Sequence, residues 1–186
     1  MMCPRDTDRE GARMVIRTHV GVSLDGFVAD ADGVAAWESL PGYEHRSHGI
    51  AEVLEHCEAV VMGRSTFDRG LARWSADWPW ADKDVHVLTS RPLPPGVQAR
   101  ACDNATELLA RLQRTGLMGD VHLLGGARTI RAFLDLGAVA RLGVVVLPML
   151  LGNGIPLFDG TAGQPLHLQC QRTHPGGAVE LIYTPA

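Results

Sequence analysis

The stretch Val121-His122-Leu123-Leu124-Gly125-Gly126-Ala127-Arg128-Thr129-Ile130 joins a short apolar run, two glycines and the start of a segment with helical spacing. This order is typical of a buried strand that turns sharply into a helix. The first N–H groups of such a helix have no partner within it, and the helix dipole makes them slightly positive. Because glycine has no Cβ, a phosphate can approach the backbone closely. The stretch therefore predicts either a cradle for a nucleotide diphosphate or a tight corner that binds nothing.

Two further strand ends carry residue types that suit phosphate. The apolar run Ala59–Met62 leads into Gly63-Arg64-Ser65-Thr66, where Ser65 or Thr66 is a candidate helix N-cap, and Val85–Leu88 leads into Thr89-Ser90-Arg91. Arginine binds phosphate oxygens through paired hydrogen bonds. Because the carboxyl ends of parallel strands lie along one edge of a sheet, three such sets predict a dinucleotide site. Two arginines in separate sets favour NADP over NAD.

The remaining patterns complete an α/β order. They predict a strand over Val15–Leu24, a helix over His45–His56, a helix capped by Asn104 and Glu107, a strand over Leu142–Leu147, and a hairpin that turns at Pro175-Gly176-Gly177. This order predicts a three-layer α-β-α domain with a mostly parallel central sheet and antiparallel strands at one edge. We expect residues 14–186 to form that single domain and residues 1–13 to be a flexible extension.

Composition narrows the function. The 186 residues are 46% apolar and 20% charged, which is ordinary for a soluble globular protein. A net charge of −4 argues against a general nucleic-acid binder, and no apolar stretch approaches the ~20 residues that cross a bilayer. The first residues lack the apolar middle of a secretory signal, and the four cysteines are far apart. We therefore expect reduced thiols, a cytoplasmic location and no metal site.

Two features outside the three sets have competing interpretations. Asp25 follows the first strand, where ligands bind in open α/β sheets, but an acid before Gly26 is also typical of a turn. The loop Arg73–Trp80 holds three tryptophans within seven residues. Such a cluster could cover a flat ligand, but we favour the structural interpretation, in which it fills the edge of the core or a subunit contact.

Five segments together resemble the dihydrofolate-reductase-like superfamily, and within it the C-terminal reductase domain of the bifunctional riboflavin-biosynthesis deaminase–reductase. The segments are Val22–Ala29, Val60–Phe67, Thr89–Arg91, Leu124–Ala127 and Pro148–Phe158. They occur in the matching order between about Met14 and Tyr183. The resemblance implies a mainly parallel sheet with flanking helices that binds NADPH, and a homodimer.

The resemblance also implies roles for individual residues. Cofactor phosphates would be held by Gly63, Arg64, Ser65 and Thr66, the adenosine 2′-phosphate would lie near Ser90 and Arg91, beside Thr89, and the pyrophosphate would be cradled by Gly125, Gly126, Ala127, Arg128 and Thr129. The end of the first strand, including Ser23, would lie beside the nicotinamide. Trp37 and the loop Leu150–Gly154, with Leu151, could wall the substrate pocket.

Two functions follow as hypotheses. The first is an NADPH-dependent reductase that passes a hydride to a small flat heterocycle, such as a pterin or a ribosylaminopyrimidine. In it Asp25 would contact substrate and donate a proton or order a water, provided that burial raises its pKa toward neutrality. The second is a non-catalytic nucleotide-binding or interaction protein on the same fold. A plain α/β domain without a ligand is the third alternative.

Overall fold

The computed structural model describes residues 14–40, 48–74, 78–160 and 163–186. The strands, in chain order, are β1 (Ile16–Ser23), β2 (Phe27–Ala29), β3 (Cys57–Gly63), β4 (Asp84–Leu88), β5 (Arg100–Cys102), β6 (Asp120–Gly125), β7 (Arg141–Leu147), β8 (Ile155–Pro156), β9 (Leu166–Thr173) and β10 (Val179–Pro185). The helices are α1 (Ile50–Glu55), α2 (Arg64–Trp74), α3 (Ala105–Arg114) and α4 (Ala127–Asp135), with short 3-10 segments at Ala36–Ser39 and Pro175–Gly177.

Eight strands form one sheet in the spatial order β5-β4-β3-β6-β1-β7-β10-β9. The pairs from β5 through β7 are parallel, whereas β10 runs antiparallel to both β7 and β9. The predicted mostly parallel sheet with a C-terminal antiparallel hairpin is therefore confirmed. The strands β2 and β8 form a separate two-stranded sheet that we did not predict.

Successive residues of a strand point to opposite faces of the sheet, and in this sheet both faces carry apolar side chains on which helices pack. In β3, Ala59 and Val61 pack in one apolar cluster, and Val60 and Met62 pack in another. The first cluster includes Leu108 and Leu112 of α3 and Ile130 and Phe133 of α4. The second includes Ile50 and Leu54 of α1 and Phe67 of α2. The predicted three-layer arrangement is therefore confirmed.

The three tryptophans pack with the second apolar cluster, on the face of the sheet that α2 covers, and Trp74 is the last residue of α2. Trp80 is 2% exposed, and its ring centroid lies 4.9 Å from that of Trp78 and 5.6 Å from that of Trp74, edge to face in both pairs. Phe67 meets Trp78 edge to face at 5.8 Å. These contacts support the structural interpretation of the three tryptophans. Residues 75–77 of that loop lie outside the described residues.

Two predicted helix starts differ from the structure. α1 begins at Ile50 rather than His45, because Gly49 precedes it with a φ of 88°, in the left-handed region. The predicted residues 45–47 lie outside the described part of the chain. α2 begins at Arg64, directly after β3, so Ser65 and Thr66 lie in its first turn and the prediction that one of them is the N-cap is wrong. At α3, by contrast, Asn104 Oδ1 accepts from the Glu107 amide at 3.0 Å, as predicted.

The thiols are not all reduced. Cys57 and Cys102 are free and buried, in agreement with the prediction, whereas Cys170 is disulfide-bonded. The prediction was wrong at Cys170 because sequence spacing reveals only local cysteine pairs. The predicted N-terminal extension, residues 1–13, also lies outside the described residues. Among the described residues, no helix is long and apolar enough to span a membrane.

Candidate nucleotide-binding site

The three phosphate-suited sets follow adjacent strands. β4, β3 and β6 are neighbours in the sheet and run in the same direction, so their carboxyl ends share one edge. β1 lies next to β6 and also points to this edge. The predicted residues therefore lie along one edge of the sheet, at the carboxyl ends of four adjacent strands.

The turn after β3 and the turn after β6 are in direct contact. A Cβ placed on Gly63 would lie only 2.6 Å from Thr129 Oγ1 and 3.7 Å from the Gly126 amide nitrogen. A Cβ placed on Gly126 would lie 3.5 Å from Thr66 Oγ1. Gly63 is therefore required by close packing, and the two turns form one surface, at which Ser65 and Arg128 are exposed and Gly126 is partly exposed.

The start of α4 has the features of an anion cradle. Gly125 has a φ of 120°, which favours glycine, and its peptide bond to Gly126 is cis. The Gly126 carbonyl accepts from the amides of Thr129 and Ile130 at 2.9 and 3.1 Å. The preceding amides, at the first two helical positions, have no acceptor within the helix and point out of its amino end. A phosphate group would complete their hydrogen bonding.

The loop after β4 is held by hydrogen bonds of the Thr89 amide and hydroxyl. Thr89 donates its amide to the Cys102 carbonyl at 2.7 Å, and its hydroxyl accepts from the Arg91 amide at 3.1 Å. Ser90 and Arg91 are exposed at the tip of this loop. The loop therefore presents a hydroxyl and a guanidinium at the edge of the sheet, as predicted for a phosphate contact.

Arg64 connects α2 to the same loop. Its Nε donates to both carboxylate oxygens of Asp68, at 2.7 and 2.9 Å, and its Nη1 donates to the Pro92 carbonyl at 2.9 Å. Asp68 Oδ2 also lies 3.8 Å from Arg91 Nη2. We missed Asp68 in the sequence, although an arginine and an acid four residues apart on a helix are a recognisable pair.

Asp25 is engaged with the loop that follows β7. Its carboxylate accepts from the Ser23 hydroxyl at 2.5 Å, from the Leu151 amide at 3.2 Å and from the Gly152 amide at 2.7 Å. The Leu24 amide donates to the Met149 carbonyl at 2.8 Å beside them. Asp25 lies in a turn closed by the Gly26 amide and the Ser23 carbonyl, and its side chain holds the loop after β7; its predicted role towards substrate stays a prediction.

These hydrogen bonds determine the protonation of Asp25. The Ser23 hydroxyl, and then the Gly152 and Leu151 amides, lower the pKa of Asp25 because they stabilise the carboxylate. The side chain is exposed rather than buried. Direct proton donation at neutral pH required a raised pKa, and this condition is not met. The chemistry available to Asp25 is that of a carboxylate that positions a loop or a water.

Trp37 and Leu151 lie in one apolar cluster. Both pack, with Met149, against a buried group on the sheet that includes Val145 and Leu147 of β7. Their positions agree with a shared wall on the Asp25 side of the edge.

The ladder between β1 and β6 is short. Its residue pairs are Ile16 with Val121 and Arg17 with His122, near the amino ends of the strands. β1 remains paired with β7 as far as Ser23. Towards their carboxyl ends, therefore, the facing edges of β1 and β6, both fully described, are not joined by ladder hydrogen bonds. Backbone groups at such edges are available to a ligand.

Comparison with known proteins is consistent with this geometry. The family model described as the RibD C-terminal domain matches residues 14–179. YwjB of Bacillus subtilis (strain 168), a protein described as uncharacterized, is 30% identical over 173 residues, covering 90% of this chain and 96% of YwjB. The riboflavin biosynthesis protein RibD of Corynebacterium ammoniagenes is 31% identical over 150 residues, covering 73% of this chain but only 43% of RibD.

Solved structures show the same fold. A Shewanella sp. PV-4 protein described as a riboflavin biosynthesis protein superposes with a TM-score of 0.80 at 26% identity, covering 93% of this chain and 99% of the other. Dihydrofolate reductase of Enterococcus faecalis, in a complex with NADP(H), superposes with a TM-score of 0.68 at 15% identity, covering 92% and 96%. The resemblance found in the sequence is therefore confirmed for the fold.

The contact between Gly63 and Thr129 leads to a stability prediction. Gly63→Ala should lower the free energy of unfolding in urea by about 1–3 kcal/mol, the usual effect of overpacking. Gly163→Ala is the matched control, because nothing lies within 4 Å of a Cβ at that position. Combining Gly63→Ala with Thr129→Ala should recover part of the loss. An equal cost of Gly63→Ala with Thr129 present or absent would show that this contact is not its cause.

Proposed function

This chain belongs to the RibD C-terminal domain family, and from that premise we propose that it is an NADPH-dependent reductase. It would transfer a hydride to a small flat heterocycle of the pterin or ribosylaminopyrimidine type. The observation that carries the proposal is the contact between the turns at Gly63 and Gly126, which places the amino ends of α2 and α4 side by side. Such a surface suits a pyrophosphate.

The residues present fit the cofactor. The pyrophosphate would be held by the start of α4, from Gly125 to Thr129, together with the first turn of α2, where Ser65 and Thr66 lie. Ser90 and Arg91 would hold the adenosine 2′-phosphate, because they are exposed at the tip of the loop after β4. Arg64 would keep that loop in place through its bond to the Pro92 carbonyl. When bound, NADPH supplies the hydride.

The substrate side is formed by the end of β1 and the loop after β7. Asp25 would position Leu151 by accepting the amides of Leu151 and Gly152, while Ser23 orients its carboxylate. Leu151 and Trp37 would then form an apolar wall for a flat ring. Asp25 could also hold a water close to the ring that receives the hydride, although it would not itself carry the proton.

The relatives support the proposal at a coarser level. RibD of Corynebacterium ammoniagenes is a riboflavin biosynthesis protein, and the Enterococcus faecalis dihydrofolate reductase binds NADP(H). These names indicate a reductase family with a nicotinamide cofactor. The heterocycle reduced by this chain is our own extension of that family assignment.

One observation favours a second function, a non-catalytic nucleotide-binding or interaction protein. The lowered pKa of Asp25 leaves it ionised at neutral pH, so the acid that sequence analysis proposed as proton donor cannot serve directly. The cofactor residues would be the same in both proteins. Hydride transfer to a heterocycle separates them, because a pure binder would show none.

A homodimer and a cytoplasmic location complete the proposal. Leu166 and Leu168 are exposed on one face of β9, which is one of the two edge strands of the sheet, and offer an apolar patch to a second copy. A strand edge of this kind is a common place for pairing between chains. We propose no nucleic-acid or membrane partner, in line with the net charge of −4.

Cofactor binding can be tested by thermal unfolding. A ligand that binds only the native state adds about 2.7 kcal/mol at one hundred times its Kd. For a chain of this size, that corresponds to a rise in Tm of roughly 5–10 °C. We expect this rise with NADPH and a smaller one with NADH at the same concentration. No rise at millimolar NADPH would exclude the cofactor, and equal rises would remove the role of Arg91.

Substitution of Asp25 tests the substrate side. Asp25→Asn replaces one acceptor oxygen by an NH₂ group that faces donor amides, so the Leu151 loop should lose its position. We expect turnover, followed as loss of NADPH absorbance with a panel of pterins and ribosylaminopyrimidines, to fall on the order of tenfold or more. The Kd of NADPH should remain within about twofold.

The exposed Asp103→Asn is the control for this experiment. Because the pKa of Asp25 is lowered in the folded protein, the wild-type carboxylate loses these bonds only when the pH falls below its ordinary range. The lower turnover of Asp25→Asn relative to wild type should therefore be seen throughout the neutral pH range. Full activity of Asp25→Asn would remove Asp25 from the mechanism.

A further inference from the structure

Two cations share one carboxylate at the carboxyl ends of β3 and β4. Arg64 and Arg91 both reach Asp68, a residue of α2 to which neither the family resemblance nor the proposed cofactor contacts give a role. The single negative charge of Asp68 offsets one of the two positive charges, so the net positive charge that an anion meets here is smaller. Both arginines entered the prediction of NADP from the sequence, whereas this acid did not.

The two arginines are held differently. The Arg64 side chain is 19% exposed, and its Nε lies 2.7 and 2.9 Å from the two oxygens of Asp68. The Arg91 side chain is 66% exposed and approaches Asp68 Oδ2 only to 3.8 Å. An exposed pair at that distance is weak and screened by salt. Arg91 is therefore the cation that can exchange Asp68 for another anion, while Arg64 stays in place.

On the basis of the proposed function, we propose that Asp68 is a specificity-determining residue that competes with the 2′-phosphate for Arg91 and so lowers the preference for NADPH over NADH. A phosphate monoester carries between one and two negative charges at neutral pH. An anion bound by Arg91 also meets the negative charge of Asp68. NADH has no phosphate at this position, so the repulsion falls on NADPH alone.

Asp68→Asn isolates the charge from the packing. The amide keeps an oxygen that can accept from Arg64 Nε, so the link from α2 through Arg64 to the Pro92 carbonyl is retained. Asp135→Asn is the matched control: Asp135 is also the fourth residue after an arginine on a helix, it is 46% exposed, and it lies at the far end of α4.

The test is a set of Kd values for NADPH and NADH, measured by calorimetry with wild type, Asp68→Asn and Asp135→Asn. We expect Asp68→Asn to tighten NADPH about three- to tenfold, as removal of one partly screened charge predicts, and to change NADH less than about twofold. Adenosine 2′,5′-bisphosphate and adenosine 5′-phosphate should reproduce the difference. In an Arg91→Gln background, Asp68→Asn should tighten NADPH less than it does in wild type, because the competition for Arg91 is gone and only the direct repulsion by Asp68 remains.

The outcomes are distinct. Weaker NADPH binding, or equal changes for both nucleotides, would overturn the role of Asp68 and leave the proposed function standing. Wild type that binds neither nucleotide would overturn the proposed function and this inference with it. Asp68→Ser removes the same charge from a smaller side chain and replaces Asp68→Asn if that variant does not fold.

Discussion

The close approach of two strand-to-helix turns is the constraint on which the site depends. β3 and β6 are adjacent and parallel, so α2 and α4 leave the sheet at the same edge. At Gly63 there is no room for a side chain, because Thr129 Oγ1 occupies the space that a Cβ would need. This packing brings the amino ends of two helices to one surface, which is the arrangement that favours a diphosphate.

Around the two joined turns, several charged side chains already have partners within the chain. Arg64 donates hydrogen bonds to Asp68 and to the Pro92 carbonyl. Asp25 accepts hydrogen bonds from the amides of Leu151 and Gly152. Each of these groups therefore acts first on the position of a loop. Of the three arginines in the predicted sets, Arg91 and Arg128 are exposed, whereas Arg64 is mostly buried against Asp68.

Much of this arrangement could be predicted from local patterns. Apolar runs followed by glycine placed β3 and β6 correctly, and alternation placed the hairpin of β9 and β10. Parallel strands bring their carboxyl ends together, so three separate sets predicted one edge. The contact of Asp25 with Leu151 spans 126 residues and leaves no local signal. The pairing of Asp68 with Arg64, four residues before it on a helix, could be predicted from the sequence. The approach of Asp68 to Arg91 could not, because it depends on how the loop after β4 packs against α2.

Hydrogen exchange of the protein with and without saturating NADPH tests the central claim most directly, because exchange reports protection segment by segment. We expect added protection in three separate segments: the start of α2 after Gly63, the loop Thr89–Arg91, and Gly125 to Ile130 at the start of α4. Protection confined to other parts of the chain, or bound NADPH without protection at Gly125 to Ile130, would contradict the claim that these joined turns hold the cofactor.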